Sequence, residues 1–153
     1  MSGVVIGVDP GLTGALAALT SDGAYDRALD MPHADGKLIV SDVTDWLADM
    51  GWIEMVVIED VHSMKGQGIA STFKFGRAFG RIEGAVMAWQ CPVTWVTPLR
   101  WKRRMKVTAD KESSRARALE LWPDKHADFV RVKDHNRAEA ALIARWWIER
   151  DGS

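Results

Sequence analysis

Acidic side chains placed at the ends of apolar runs are the residues of this chain best suited to chemistry. The run Val4-Val5-Ile6-Gly7-Val8 ends in Asp9 and then in Pro10-Gly11. The run Glu54-Met55-Val56-Val57-Ile58 ends in Glu59 and Asp60. A third acidic segment, Lys133-Asp134-His135-Asn136-Arg137-Ala138-Glu139, opens the last helix, where i, i+4 spacing puts His135 and Glu139 on one face. Oxygen ligands from separate elements, with one imidazole and little sulfur, suit Mg²⁺ or Mn²⁺ better than zinc. A pair of such ions activates water and stabilises a leaving oxygen in phosphodiester hydrolysis. Each acid also has an ordinary reading. Asp9 caps an Asp-Pro-Gly turn, Glu59 or Asp60 begins a solvated loop, and Asp134 with Glu139 supplies helix-start charge favoured by the dipole.

The elements that would position these acids follow from periodicity. Near-continuous Val and Ile before Asp9 predict a central strand covered on both faces. Gly11 and Gly14 allow a tight return into Ala15–Leu19, and Gly23–Met31 follows as a third strand. Ser41–Met50 reads as a short helix with Ser41 as N-cap and Gly51 after its end. Glu54–Asp60 is the second buried strand. Apolar residues at Ile69, Phe73, Ala78, Phe79, Ile82, Val86 and Trp89 then keep helical spacing for a long helix. Val93–Val96 is a strand, Lys111–Trp122 a helix stopped by Pro123, and Ala138–Glu149 the closing helix. Three strands followed by alternating helices and strands predict a mixed α/β layer fold.

Composition bounds the class. The 153 residues are 47% hydrophobic and 27% charged, with no linker, repeat or low-complexity tract, which predicts one globular domain over residues 1–153. No segment reaches the roughly 18 uncharged apolar residues of a membrane span. No basic leader precedes the first apolar run, so a cytoplasmic protein is expected. Cys91, the one cysteine, precedes Pro92 in apolar context and reads as a packed residue. The net charge of −1 gives no hint of a polyanionic partner, but the basic residues are unevenly placed.

The ordered set of motifs resembles the RuvC-like Holliday-junction resolvases, the phage-encoded branch especially. The resemblance is carried by Ile6-Gly7-Val8-Asp9-Pro10-Gly11, by Val57-Ile58-Glu59, and by Gly66 through Arg77 with Gly80 and Gly84. It continues through Val96-Thr97-Pro98, Trp101-Lys102, Asp110-Lys111-Glu112 and Ala138-Glu139-Ala140. It implies a ribonuclease H-like fold whose mixed central sheet has three antiparallel N-terminal strands and flanking helices. It also implies a homodimer, and cleavage of symmetric strands at a four-way DNA junction by two Mg²⁺ ions, Mn²⁺ substituting. Asp9, Glu59 and Glu139 fall on family metal ligands, and Lys111 on a lysine expected near the cleaved phosphate. Where the family often has an acid three residues before the last ligand, this chain has Asn136; Asp134 is expected as the fourth metal-side residue and His135 as ligand or water-orienting base.

Basic residues would supply the DNA contacts. Arg100, Lys102, Arg103, Arg104 and Lys106 crowd one segment around Trp101, and Lys111, Arg115 and Arg117 follow. Lys65, Lys74, Arg77 and Arg81 extend the surface, and the loop Ser63–Gly68 is expected to close on a strand. Of the eight tryptophans, Trp46, Trp89 and Trp146 read as core or interface. Phe73, Phe75 and Phe79 share the long helix, where the family places its dimer contact; Phe73 or Phe75 could instead wedge against an unpaired base. Rival readings are a catalytically weak branched-DNA-binding module, a same-fold nuclease acting on RNA or other branched DNA, and an actin-like ATPase, whose phosphate loop resembles Asp9–Gly14. The last needs two lobes, and the chain is about half long enough.

Overall fold

The computed structural model describes residues 2–62 and 65–150. Its centre is a five-stranded sheet in the order β3-β2-β1-β6-β7. Strands β1 (Val4–Asp9), β2 (Ala15–Thr20) and β3 (Tyr25–Asp30) form an antiparallel meander. A two-residue pair, β4 (His33–Ala34) and β5 (Lys37–Leu38), leads into α1 (Val40–Ala48). Strand β6 (Ile53–Glu59) returns parallel to β1, and after α2 (Ile69–Ala88) strand β7 (Val93–Val96) lies parallel to β6. The chain continues through α3 (Pro98–Met105), α4 (Lys111–Leu121), two short 3₁₀ turns and α5 (His135–Glu149). No described helix is long and apolar enough to cross a membrane.

The alternation of side chains along the central strands builds two cores. Val5, Ala17, Leu19 and Val57 point to one face, where α3, α4 and α5 bring Trp101, Met105, Ala118, Leu142 and Ile143. Ile6, Val8, Leu16, Ala18, Val56 and Ile58 point to the other, under Val43 and Leu47 of α1 and Ile82 and Val86 of α2. A sheet covered on both faces explains why β1 and β6 read as continuous apolar runs.

Two expectations are corrected at element ends. Ser41 lies inside α1 rather than capping it; Ile39 occupies the N-cap and no side chain bonds there. The closing helix begins at His135, three residues before Ala138, because the turn Val132–Asp134 feeds it directly. The basic segment, unassigned from periodicity, is helix α3, with Pro98 at its start, where a missing N–H costs nothing. Cys91 is a packed residue, its thiol 3.8 Å from the Val86 carbonyl oxygen. Of the expected mobile loop, Ser63 and Met64 lie outside the described residues.

Gly7 sets the distance between α5 and the sheet. A Cβ at that position would lie 1.9 Å from the Ala140 carbonyl oxygen and 2.7 Å from the Ala144 nitrogen. Backbone therefore meets backbone, with small residues Ala140, Ala141 and Ala144 lining the contact. Gly7→Ala should force α5 outward and cost about 1–3 kcal/mol of overpacking strain. A urea midpoint equal to that of the unsubstituted chain, at unchanged slope, would contradict this close approach.

Candidate active site

Asp9 and Glu59 are brought side by side by parallel pairing. One step beyond the Val8/Ile58 pair the two carboxyls stand at the same end of neighbouring strands. This is the carboxyl edge of an open α/β sheet, where sites form. The turn that leaves Asp9 is tight: Gly11 has φ of 106°, and a Cβ on Gly14 would lie 1.8 Å from the Asp9 carbonyl oxygen. Helix α5, seated on Gly7, carries Glu139 into the same corner, where it hydrogen-bonds the Asp9 side chain. Glu59 and Glu139 are only 6% and 9% exposed.

The electrostatics of this corner are those of confined like charge. Burial pushes the Asp9 carboxyl well above its ordinary value, and the facing Glu139 and Glu59 push it further, while Lys111 opposes them. Glu59 is raised by burial first; the Trp101 indole, which donates to its Oε2 at 2.6 Å, opposes that rise, Glu139 adds to it, and Lys102 and Lys111 oppose it. His135 faces the same cluster. Its imidazole is lowered by burial and by Lys111, against the pull of Glu139 and Glu112, and its buried Nδ1 has no hydrogen-bond partner. The structure thus gathers Asp9, Glu59, Glu139, His135 and Lys111 from β1, β6, α5 and α4.

Asp134 is not among them, which corrects its expected place beside a metal. Its carboxylate accepts from the Arg131 backbone N–H at 2.9 Å and from the Arg131 guanidinium at 2.8 Å, with Arg137 3.9 Å away. Burial pushes this carboxyl up, but the bonds from Arg131 and the charge of Arg137 outweigh it and hold it low. Asn136 also faces away from the acids. Its amide donates to the Gly14 carbonyl at 3.1 Å and to Asp30 at 3.2 Å, tying the start of α5 to β2 and β3. The Gly14 carbonyl already accepts from the Met31 N–H at 3.0 Å, and the Asn136 amide adds a second donor that a carboxylate could not supply.

Among the described residues, no three Asp, Glu, His or Cys side chains stand close enough to hold one ion as placed. The donor set nonetheless fits a hard divalent cation. Three carboxyls share one buried corner, Asp9 and Glu139 meet through a hydrogen bond that a cation would replace, and an imidazole nitrogen is left without a partner.

Around the site the basic residues divide into committed and free. Arg104, expected on DNA, instead donates to the Glu149 carbonyl at the end of α5. Arg115, likewise expected there, binds Glu112 at 2.6 Å and the carbonyls of Phe129 and Val130. Arg117 is held by the Met105 carbonyl and Glu120. These three are engaged within the protein, by backbone carbonyls and neighbouring glutamates. Arg100 stays exposed, 5.2 Å from the Trp146 ring, and Lys102 lies 5.6 Å from the Trp101 ring. Lys65, Lys74, Arg77, Arg103 and Lys106 are exposed. Lys74 joins two clefts: one beside Pro10–Thr13, next to Asp9, and one lined by Lys37, Arg77 and Arg81. Among the described residues, none of Lys37, Lys74, Arg77, Arg81 and Arg103 sits in an ion pair.

No family profile matches the chain, and no curated protein matches it. Solved structures do. RuvC from T. thermophilus in complex with a Holliday junction substrate aligns at a TM-score of 0.66 and 18% identity, over 97% of this chain and 96% of that one. A second Thermus thermophilus RuvC structure aligns at 0.63 and 22%, over 96% and 95%. This chain has their ribonuclease H-like α/β fold.

The acid cluster makes a signed prediction about stability. A carboxyl raised in the folded state contributes stability below its unfolded pKa and loses it as pH rises through the folded one. Without divalent ions, the contribution of this corner should therefore fall as pH rises from acid toward neutral, while the lowered carboxyls of Asp30 and Asp134 act in the opposite direction. Asp9→Asn should melt higher than the native chain in EDTA at pH 8, by about 2–4 °C per kcal/mol of repulsion relieved, and equally at pH 3. Melting curves in which Asp9→Asn is less stable at pH 8 would mean that the carboxyls do not oppose one another.

Proposed function

We propose that this chain is a structure-selective endonuclease that resolves four-way DNA junctions by metal-dependent phosphodiester hydrolysis. The observation that carries the reading is the convergence of Asp9, Glu59 and Glu139 at a sheet edge, bordered by cations with no carboxylate partners. RuvC, whose fold this chain has, is known in complex with a Holliday junction substrate, which supports the same class of substrate here. The order of motifs resembles the phage-encoded branch, and we place the chain there.

Asp9, Glu59 and Glu139 would hold two Mg²⁺ ions, or Mn²⁺ in their place, with His135 offering its Nδ1. When bound, the ions activate the attacking water and stabilise the departing oxygen. The protein groups do the rest. Lys111 sets a positive charge beside the acids, where the scissile phosphate would lie. The lowered pKa of His135 keeps its imidazole neutral near pH 7, so that its nitrogen accepts a bond or a proton. Lys74 and the Arg77–Arg81 cleft would track one DNA backbone away from Asp9, and Arg100, Lys102, Arg103 and Lys106 another.

Paired symmetric nicks require two sites related by a dyad, and α2 offers the surface. Ile69, Phe73, Gly76, Gly80, Gly84 and Met87 fall on one side of the helix, opposite buried Ala78, Ile82 and Ala85. Ile69 is 91% exposed and Phe73 68%. A Cβ on any of the three glycines would meet nothing within 4 Å, so a second helix could approach closely along this stripe. This stripe supports a homodimer through α2 as part of the proposal, with Phe73 at its end, under the Arg77 guanidinium, free to meet an opened base step.

A synthetic four-way junction with Mg²⁺, beside linear duplex and RNA-DNA hybrid controls, tests this. Asp9→Asn and Glu59→Gln should abolish cutting while junction binding persists or strengthens, because phosphate repulsion falls. His135→Ala should cost about 10²- to 10⁴-fold in rate. Asp134→Asn should cut at close to the native rate while unfolding more readily, since its carboxylate serves Arg131. Normal turnover by Asp9→Asn, or cutting undiminished in EDTA, would overturn the proposal.

A further inference from the structure

Trp101 is fully buried beside the acid cluster, and packing alone does not account for its placement. Its side chain lies beneath the core shared by β6, β7 and α5. The indole N–H donates and cannot accept, and its partner is Glu59 Oε2 at 2.6 Å, short for a bond between nitrogen and oxygen. The route to this contact is built into the sheet. Glu59 pairs with Val96 in register, the chain turns at Thr97, and Pro98 starts α3 so that its first full turn sets Trp101 over the end of β6. The Asp60 N–H, bound to the Val96 carbonyl at 2.7 Å, locks the same end.

We infer that Trp101 is a positioning residue that fixes the Glu59 carboxylate for a divalent cation. This rests on the metal-nuclease reading above. Pinning Oε2 leaves Oε1 as the free oxygen and fixes its direction. A carboxylate that turned to offer both oxygens elsewhere would strand a buried N–H. Outer partners of this kind tune metal affinity as strongly as some ligands do. The same helix presents Arg100, Lys102 and Arg103 outward, so the segment that would hold DNA also carries the group that holds Glu59.

Trp101→Phe keeps an aromatic ring and removes the donor. Calorimetric titration of the DNA-free protein with Mn²⁺ should show affinity lowered about 10- to 100-fold. The melting temperature in EDTA should stay within a few degrees of native, and junction binding without metal should be unchanged. Native-like Mn²⁺ affinity in folded Trp101→Phe would overturn the inference while leaving the nuclease reading intact. A native chain that binds no Mn²⁺ would overturn both. If Trp101→Phe does not fold, the native chain decides: the Trp101 indole N–H resonance should shift on Mg²⁺ titration and lose that shift in Glu59→Gln. An indole resonance indifferent to saturating Mg²⁺ would equally overturn the inference.

Discussion

The structure is organised around an unfavourable contact, the meeting of three carboxyls in one buried corner. The half-buried Asp9 and the buried Glu139 interact through a hydrogen bond, and like charges this close oppose joint ionisation unless a cation compensates; the buried Glu59 faces Asp9 as well. Everything nearby holds that meeting in place. Parallel pairing aligns Asp9 with Glu59, the missing side chain of Gly7 lets α5 bring in Glu139, and Lys111 supplies partial compensation. Such a corner is stabilised by protons or by a cation, and the choice between them couples stability to the proposed chemistry.

The placement of charge around the corner separates fold from function. Arg104 ties α3 to α5, Arg117 ties α4 to α3, Arg115 ties α4 to the Phe129–Val130 segment, Arg137 ties α5 to β3, and Arg131 holds Asp134 locally. Among the described residues, Lys37 on β5, Lys74, Arg77 and Arg81 on α2, and Arg100 and Arg103 on α3 sit in no ion pair. A protein whose charges nearly cancel, with a net of −1, can therefore still offer basic surfaces beside an acidic site. A lysine or arginine with no carboxylate partner is available to neutralise a phosphate, which releases that phosphate's counterions.

Strands β1 and β6 were legible in sequence because burial on both faces makes an apolar run continuous, and acids at the ends of such runs stand out. Glu139 and His135 were legible through i, i+4 spacing once a helix was placed there. Asp134 was misjudged because spacing cannot tell which way a residue at a helix start will turn. Its neighbour Arg131, three residues earlier, captures the carboxylate before it can reach Asp9. The same blindness affected Arg104 and Arg115, whose partners lie 45 and 14–15 residues away. Trp101 stood in plain view within a basic cluster, but its bond to Glu59, 42 residues earlier, depends on strand β7 lying beside β6. Asn136 looked like a lost ligand; it is a donor for Gly14.

In the proposed nuclease, a divalent cation would replace the Asp9–Glu139 hydrogen bond. Crystals soaked in Mn²⁺ and measured at its absorption edge test this most directly. An anomalous peak among Asp9, Glu59 and Glu139, with the Asp9 and Glu139 oxygens parted and turned toward it, is the predicted result. An intact Asp9–Glu139 hydrogen bond at saturating Mn²⁺, with no anomalous density in that corner, would contradict it.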